Sequence, residues 1–440
     1  MEQLKTFFEN LSGWVWGTPL VMLLFGTHLY LTLRTGFIQK HLFRAIKLSL
    51  SKEEGKGDVS HFASLMTALA ATVGTGNIVG VATAITVGGP GAVLWMWLTG
   101  VFGIATKYSE ALLSVKYRIT MPNGQMAGGP MYVLENALKL KWLAVLFAVF
   151  TALASFGIGN MSQAHSISSL MENTFQINPY ITGLILTTLT AVVILGGIKS
   201  IAKVCSYLVP FMAIAYVAGC LGILIVGRET LWATVELICR SAFTGHAALG
   251  GFMGAGVKEA ARYGIARGLF SNESGLGSAP IVAAAAKSKD PVTQALVSST
   301  ATFWDTVVIC AMTGLVLVNT VEWHGALRGA SLTKEAFATY GSWGTYTLTI
   351  GLFTFVFSTI LAWSYYGEKA VEYLFGAKAI MPYRWAWVAV VMLGSIAPLS
   401  LVWDFSDAMN GLMAVPNLIS LILLSGTIAS ETKRYFSENP

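Results

Sequence analysis

An apolar run from Phe62 to Val87 is interrupted at its centre by Gly74-Thr75-Gly76-Asn77. The run is long enough to cross a bilayer, which takes roughly 20 apolar residues, yet its middle holds residues that continue a helix poorly. The expectation is a helix broken at mid-membrane. Backbone N–H and C=O groups left unpaired in hydrocarbon are destabilised by several kcal/mol each, so unwound chain persists there only where it lines a cavity or holds something. A second apolar helix is interrupted in the same manner about 200 residues later, at Phe270-Ser271-Asn272-Glu273-Ser274-Gly275-Leu276-Gly277, and paired interruptions in two halves point to the binding site of an inverted-repeat transporter.

Hydrophobic residues make up 55% of the 440 and charged residues only 11%, against about a quarter in soluble domains. With a mean hydropathy of +0.64, the chain reads as an integral membrane protein. Its helix-length apolar runs predict an all-α polytopic bundle, one membrane domain over residues 1–440; the alternating pattern of an outer-membrane barrel is missing. The net charge of +6 does not make a nucleic-acid surface, because the Lys and Arg sit in short loops between apolar spans, the positive-inside pattern. Cys205, Cys220, Cys239 and Cys310 show no metal-ligand spacing and read as unpaired thiols. The N-terminal MEQLKTFFENLSG lacks the basic region and cleavage site of a signal peptide, so the first span is expected to be retained.

That first span runs from about Gly13 to Leu33. Arg34, Lys40, Arg44, Lys47, Lys52 and Lys56 follow it, which predicts a cytoplasmic loop and an external N-terminus. Phe37 to Leu50 reads as an amphipathic helix on the membrane surface. The broken span then ends at Gly88-Gly89-Pro90-Gly91, an external turn. Spans are expected at Ala92–Tyr117, Trp142–Ile167, Ile181–Leu195 and Tyr207–Val226, with a short helix near Tyr132–Ala137 and a cytoplasmic turn holding Lys199 and Lys203. An external amphipathic helix, Glu229–Ala242, leads to the second broken span, about Gly251 to Ala286. Val292–Val318, an external loop with Trp323, Arg328 and Lys334, and spans at Tyr346–Leu374, Trp385–Val402 and Met409–Ala429 complete about eleven crossings, ending at a cytoplasmic Lys433-Arg434. Lys258, Arg262 and Arg267 fall in the outer half of the second broken span, where charge needs water. Either that half lines a wet vestibule, the preferred reading, or it starts nearer Gly264.

A half-helix N-terminus suits a carboxylate and C-terminal carbonyls suit a cation, so the backbone at Thr75, Gly76 and Asn77 makes a cradle for a small zwitterion. Close helix packing is the alternative for Gly76 and Gly80. A dinucleotide fingerprint is rejected for GTGN because no strand precedes it and the spacing is wrong. Asn77 has an amide able to face both a cation and a carboxylate, with an interhelical structural bond as the alternative. Gln163, a second amide at membrane depth, offers a carbonyl to an ammonium group. Ser358 and Thr359 are adjacent hydroxyls in an apolar span; the default is a bond back to the preceding turn, but facing a break they supply two of the oxygens a sodium ion wants. Phe270 and Trp363 are placed to wall a small pocket. Among the intramembrane acids, Glu273 is expected to pair with Arg267 or Lys258 or to cap the following half-helix. Glu110 is expected to pair with Lys107 on one helical face. Asp305, without an obvious local partner, is the candidate proton carrier. No His-Glu-x-x-His, Ser/His/Asp grouping or metal cluster stands out, so an enzyme is not expected.

The segments ALAATVGTGNIVGVATA, NGQMAGGPMY, RGLFSNESGLGSAP and STILAWSYYGEK resemble the alanine or glycine:cation symporter family over nearly the whole chain. The resemblance implies the leucine-transporter-type fold of the amino acid–polyamine–organocation superfamily: five-helix inverted repeats at 62–226 and 251–429, plus one extra helix at 13–33. It implies a substrate site of Thr75, Gly76, Asn77, Gln163, Phe270 and Trp363. It also implies a sodium site of backbone carbonyls at Ala70, Val73 and Phe355 with the hydroxyls of Ser358 and Thr359. Some relatives of this fold replace the sodium with a lysine amine on the fifth repeat helix; Tyr207 to Val226 contains no Lys or Arg, which favours sodium.

The expected function is sodium-coupled import of small neutral amino acids, alanine and glycine, across the cell membrane by alternating access. Sodium is the co-transported ion, the lipid bilayer the surroundings, and no nucleic acid or obligate protein partner is expected. Alternatives are a proton-coupled carrier using Asp305 or Glu273, and a sodium symporter for glutamine or serine. A channel and a membrane enzyme are the readings from other classes.

Overall fold

The N-terminal span is built in two pieces, α1 (Glu2–Val15) and α2 (Thr18–Arg34), in a computed structural model that describes residues 2–51, 55–244, 256–321, 327, 329–339, 341–397 and 400–439. Pro19 sits in the first turn of α2, where its missing N–H has no helical partner to lose. Lys5–Arg34 together are long and apolar enough to cross a membrane, so the span starts earlier than Gly13. The surface helix expected after it is α3 (Leu42–Ser49); Lys52 lies outside the described residues.

The first broken span is as the sequence predicts. α4 (His61–Thr72) stops where Val73 turns extended, ψ 96°. A five-residue π-helical turn, Gly76–Gly80, leads into α5 (Val81–Gly88), and the pair is bent by 52°. Asn77 Oδ1 accepts the Gly74 N–H at 2.8 Å, so a side chain satisfies a backbone donor that the break sets free.

α6 (Gly91–Lys116) is unbroken. A small hairpin, β1 (Ile119–Thr120) and β2 (Met126–Ala127), and α7 (Pro130–Asn136) follow. α8 (Lys141–Phe156) and α9 (Ser162–Phe175) are joined through a π-helical turn, Gly157–Met161, into one 35-residue helix. α10 (Pro179–Ile194) and α11 (Gly197–Val226) come next. Lys199 and Lys203 lie on α11 and not in the turn before it, because the reversal is already complete at Gly196.

α12 (Arg228–Phe243) precedes α13 (Val257–Asn272); positions 251–255 of the expected second broken span lie outside the described residues. Beyond Asn272 the backbone is left-handed at Glu273 (φ 55°), Gly275 (φ 92°) and Gly277 (φ 85°), which no right-handed helix accommodates. Only a four-residue helix, α14 (Pro280–Ala283), follows, shorter than the half-helix expected there. The exit pairs with the start of the first broken helix through bridges Lys56 to Ser288 and Val59 to Ala286. Arg118 donates to the carbonyls of Lys56, Ala284, Ala286 and Ser288 at 2.7–3.1 Å, so one guanidinium clamps both strands.

α15 (Pro291–Thr302), a π-helical stretch Phe303–Cys310 and α16 (Ala311–Thr320) form one 30-residue helix. α17 (Gly329–Ala338) carries Lys334 where a loop was expected; Trp323 and Arg328 lie outside the described residues. α18 (Ser342–Phe375), α19 (Ile380–Ile396), α20 (Ser400–Leu423) and α21 (Ser425–Glu438) complete the chain. The last two spans begin and end earlier than predicted. Ala397 is extended (φ −86°, ψ 144°) because it precedes Pro398, so α19 stops there and α20 starts at Ser400. α21 is a further helix outside the apolar spans, tied to α6 by Lys116–Glu431 at 2.6 Å and to Asp290 by Arg434 at 2.8 Å. The Lys116 ammonium bonded to Glu431 holds that carboxyl below its ordinary range.

Among the described residues, seven helices are long and apolar enough to cross a membrane, eight with the bent pair; with α6, α10 and α13–α14 falling short of that measure, the architecture is consistent with about eleven. Leu184, Val192 and Ile214 are 62%, 74% and 70% exposed on α10 and α11, an outer surface that suits lipid and not water. The protein is an all-α polytopic membrane protein.

Candidate substrate and ion site

Phe355, Ser358 and Thr359 share one face of α18, opposite the place where α4 ends. Ser358 Oγ lies 2.8 Å from Phe355 O and 3.2 Å from Ala70 O. Thr359 Oγ1 lies 3.0 Å from Phe355 O, 3.1 Å from Ala70 O and 3.3 Å from Val73 O. Three carbonyls and two hydroxyls are thus gathered, all from buried residues. Two hydroxyl protons cannot satisfy the lone pairs of five oxygens, so the cluster is electron-rich. It stands at the C-terminal end of a half-helix, the negative end of its dipole, and all-oxygen donor sets suit hard cations.

Beside this cluster, the first break from Ala71 to Gly76, Gln163 of α9, Phe270 and Glu273 of the second break, and Thr359 and Trp363 of α18 enclose a cavity of about 20 Å³. At ~10–15 Å³ per water, it has room for one or two waters. Gln163 Nε2 donates to Ile158 O at 2.9 Å and reaches Thr75 Oγ1 at 3.4 Å. Among the described residues its Oε1 is buried without a hydrogen-bond partner. A Cβ on Gly159 would stand 2.3 Å from Trp363 Cβ, so the glycine in the π-helical turn is what lets α18 bring the indole to the cavity wall.

Trp363 Nε1 donates to Glu273 Oε1 at 3.0 Å, and Ser278 Oγ donates to Glu273 Oε2. Glu273 therefore pairs with neither Arg267 nor Lys258. Arg267 instead lies over the Phe270 ring, 5.7 Å from its centroid. Arg262, Arg267, Trp16 and Asp407 line an outer cleft of about 150 Å³ that Phe270 also borders, an arrangement that accommodates the vestibule reading. Phe270 is the wall between that cleft and the inner cavity.

Asn77 is placed off the cavity. It is fully buried, and its Nδ2 donates to Asp305 Oδ1 at 2.7 Å. Asp305 Oδ2 accepts from Ser271 Oγ at 2.9 Å and Thr306 Oγ1 at 2.7 Å. The expectation that Asp305 lacks a partner is overturned: both broken spans meet on it. The expected Lys107–Glu110 pair makes no direct salt bridge among the described residues, although the Lys107 charge acts on Glu110 from nearby. Glu110 Oε1 accepts from Gly275 N at 3.0 Å, Gly277 N at 3.1 Å and Asn417 Nδ2 at 2.6 Å, while Lys107 Nζ has no hydrogen-bond partner among the described residues. The left-handed glycines turn their N–H groups toward one carboxylate, which holds the second break open. Sequence reasoning missed Glu110, Ser271, Asn417 and Arg118 in these roles.

Two half-helices broken at one level, an oxygen cluster and a small polar cavity between them form the plan of a cation-coupled carrier. The sequence model of the sodium:alanine symporter family matches residues 1–440. The chain belongs to that family. It is 51% identical over 439 residues to the sodium/alanine symporter AgcS of Methanococcus maripaludis, covering 97% of this chain and 96% of that protein. A transporter of Haemophilus influenzae is 52% identical over 439 residues, covering 98% and 96%, and the probable sodium/glutamine symporter GlnT of Bacillus subtilis is 36% identical over 428 residues, covering 96% and 88%. Among solved structures, MhsT in complex with L-phenylalanine matches with a TM-score of 0.60 at 14% identity, over 87% of this chain and 93% of that one. That likeness shows the fold, which is the leucine-transporter type. This member of the sodium:alanine symporter family is thus a multi-pass membrane transporter and not an enzyme.

Proposed function

We propose that the protein imports small neutral amino acids, alanine and glycine, together with sodium by alternating access. The observation that carries this reading is the five-oxygen cluster of Ala70, Val73, Phe355, Ser358 and Thr359, set against a cavity that shares Thr359. Sodium takes that cluster. The substrate carboxylate lies against the backbone at Thr75 and Gly76, and its ammonium against the unpartnered Gln163 Oε1. Asn77 supports the cradle from behind through Gly74. Trp363 and Phe270 set the side-chain limit: the cavity, with room for one or two waters, has to widen even for alanine, and a glutamine side chain demands more.

Sodium bound at the end of α4 fixes that half-helix in place and favours the outward-facing arrangement. Each ion crossing ~100 mV contributes about 2.3 kcal/mol, plus its concentration gradient. The repeats run over 62–226 and 251–429 with 13–33 outside them, the N-terminus external and the C-terminus cytoplasmic, so the Arg118 clamp closes the cytoplasmic side. Ser358→Ala with Thr359→Ala removes two of five oxygens and is expected to raise the sodium concentration for half-maximal uptake at least tenfold, about 1.4 kcal/mol. An unchanged sodium dependence removes these hydroxyls from the ion site.

A further inference from the structure

Away from the cavity, a groove of about 520 Å³ is cut into the apolar outer surface. Phe62 and Leu69 of α4 form one wall, Pro210 and Leu221 of α11 the other, and Trp304, 37% exposed, lies in its floor. Ile46 of the surface helix α3 and Leu50, which caps its C-terminus, close one end. The groove runs from Phe62 to the end of α4, where Val73 follows, and from Val209 to Leu221 on α11, rises of about 15 and 18 Å at ~1.5 Å per helical residue. Half of a ~30 Å hydrocarbon core is about 15 Å, so the groove has the depth of one leaflet.

Its α3 end carries the charge that an occupant's headgroup meets. Ser358 Oγ reaches both Ala70 O at 3.2 Å and Met212 Sδ at 3.5 Å, and Thr67 stands beside Cys205 further down, so α4 and α11 run in the same direction. The first turns of α11 therefore stand at the same end as α3. Lys203 precedes Pro210, Ile214 and Leu221 by seven, eleven and eighteen residues, close to whole helical turns, which puts it on the groove face. Lys47 lies in the last turn of α3, three residues before Leu50, and both lysines are exposed. We propose that this groove holds one acyl chain of an anionic phospholipid whose headgroup sits between Lys47 and Lys203.

The seat lies behind the ion cluster. Leu69 and Val73 turn side chains to the groove, while the carbonyls of Ala70 and Val73 face Thr359. A chain packed there supports the end of α4 from outside. That consequence rests on the proposed sodium site; lipid binding itself does not.

Trp304 is the reporter. The full-length protein is reconstituted in phosphatidylcholine containing a small fraction of lipid with brominated acyl chains, carrying either a phosphatidylglycerol or a phosphatidylcholine headgroup. Subtracting the signal of Trp304→Phe isolates this indole's fluorescence. The expected result is quenching about fivefold more effective with the anionic headgroup, on the scale of one lysine's attraction to anionic lipid, and loss of that preference in Lys47→Gln with Lys203→Gln. Equal quenching by both headgroups in the unmodified chain means ordinary annular contact and overturns the proposal. No quenching by either places protein and not lipid in the groove, and overturns it equally. The headgroup preference is read on the unmodified sites, so a misfolded lysine variant does not decide the outcome.

Discussion

Asn77 and Asp305 are joined by a 2.7 Å hydrogen bond between the amide Nδ2 and the carboxylate Oδ1, in the buried interior where the two broken spans meet. The same asparagine accepts the Gly74 N–H, and the same aspartate accepts from Ser271. One amide and one carboxylate therefore couple the geometry of both breaks. The shape of the cavity depends on a pair that does not line it.

If Asp305 is a structural tie, its charge is dispensable and its oxygens are not. Asp305→Asn keeps an acceptor for Asn77 or Ser271 and is expected to retain sodium-driven uptake with an unchanged pH profile. Asp305→Ala leaves buried donors unpaired at about 1–3 kcal/mol each and is expected to lower both stability and uptake. A pH profile that flattens in Asp305→Asn identifies this group as a proton carrier.

Trp363 limits the cavity and is aimed by Glu273. Trp363→Phe removes the indole N–H and opens space, leaving Glu273 with the Ser278 donor. Losing this buried hydrogen bond, about 1–3 kcal/mol, is expected to reduce alanine uptake roughly tenfold. Glutamine and leucine are expected to compete better against labelled alanine than they do in the unmodified protein. An unchanged competition order removes Trp363 from the pocket wall.

Glu110 holds the second break open through the N–H groups of Gly275 and Gly277. Glu110→Gln preserves a carbonyl acceptor and is expected to stay near the unmodified stability. Glu110→Ala leaves three donors unpaired, on the order of 3 kcal/mol or more, and is expected to lower the unfolding midpoint in detergent. Equal midpoints for the two variants mean the carboxylate does not support the break.

The two breaks were legible because glycine and asparagine clustered inside an apolar run weaken a membrane helix wherever they fall, whatever packs around it. The hydroxyl pair of Ser358 and Thr359 stood out as adjacent polar residues in an apolar span, but the carbonyls of Ala70, Val73 and Phe355 entered only through the family resemblance, since no spacing along the chain connects Ala70 to Ser358. The roles of Glu110 and Asp305 were hidden for a related reason. Local spacing offers Lys107 to Glu110, but the N–H groups released at Gly275 and Gly277, 165 and 167 residues away, are unpaired inside lipid and win the carboxylate. Matching buried acids to the donors freed at each break would have found them. α21 and the early start of α20 were missed because hydropathy marks spans and not the proline that resets a boundary.

The central claim is sodium-driven uptake through the cavity bounded by Thr359 and Trp363. Purified protein in liposomes is given labelled alanine under an inward sodium gradient, against an equal potassium gradient. Accumulation with sodium and none with potassium is the expected result. Accumulation that ignores sodium and follows an imposed proton gradient contradicts it.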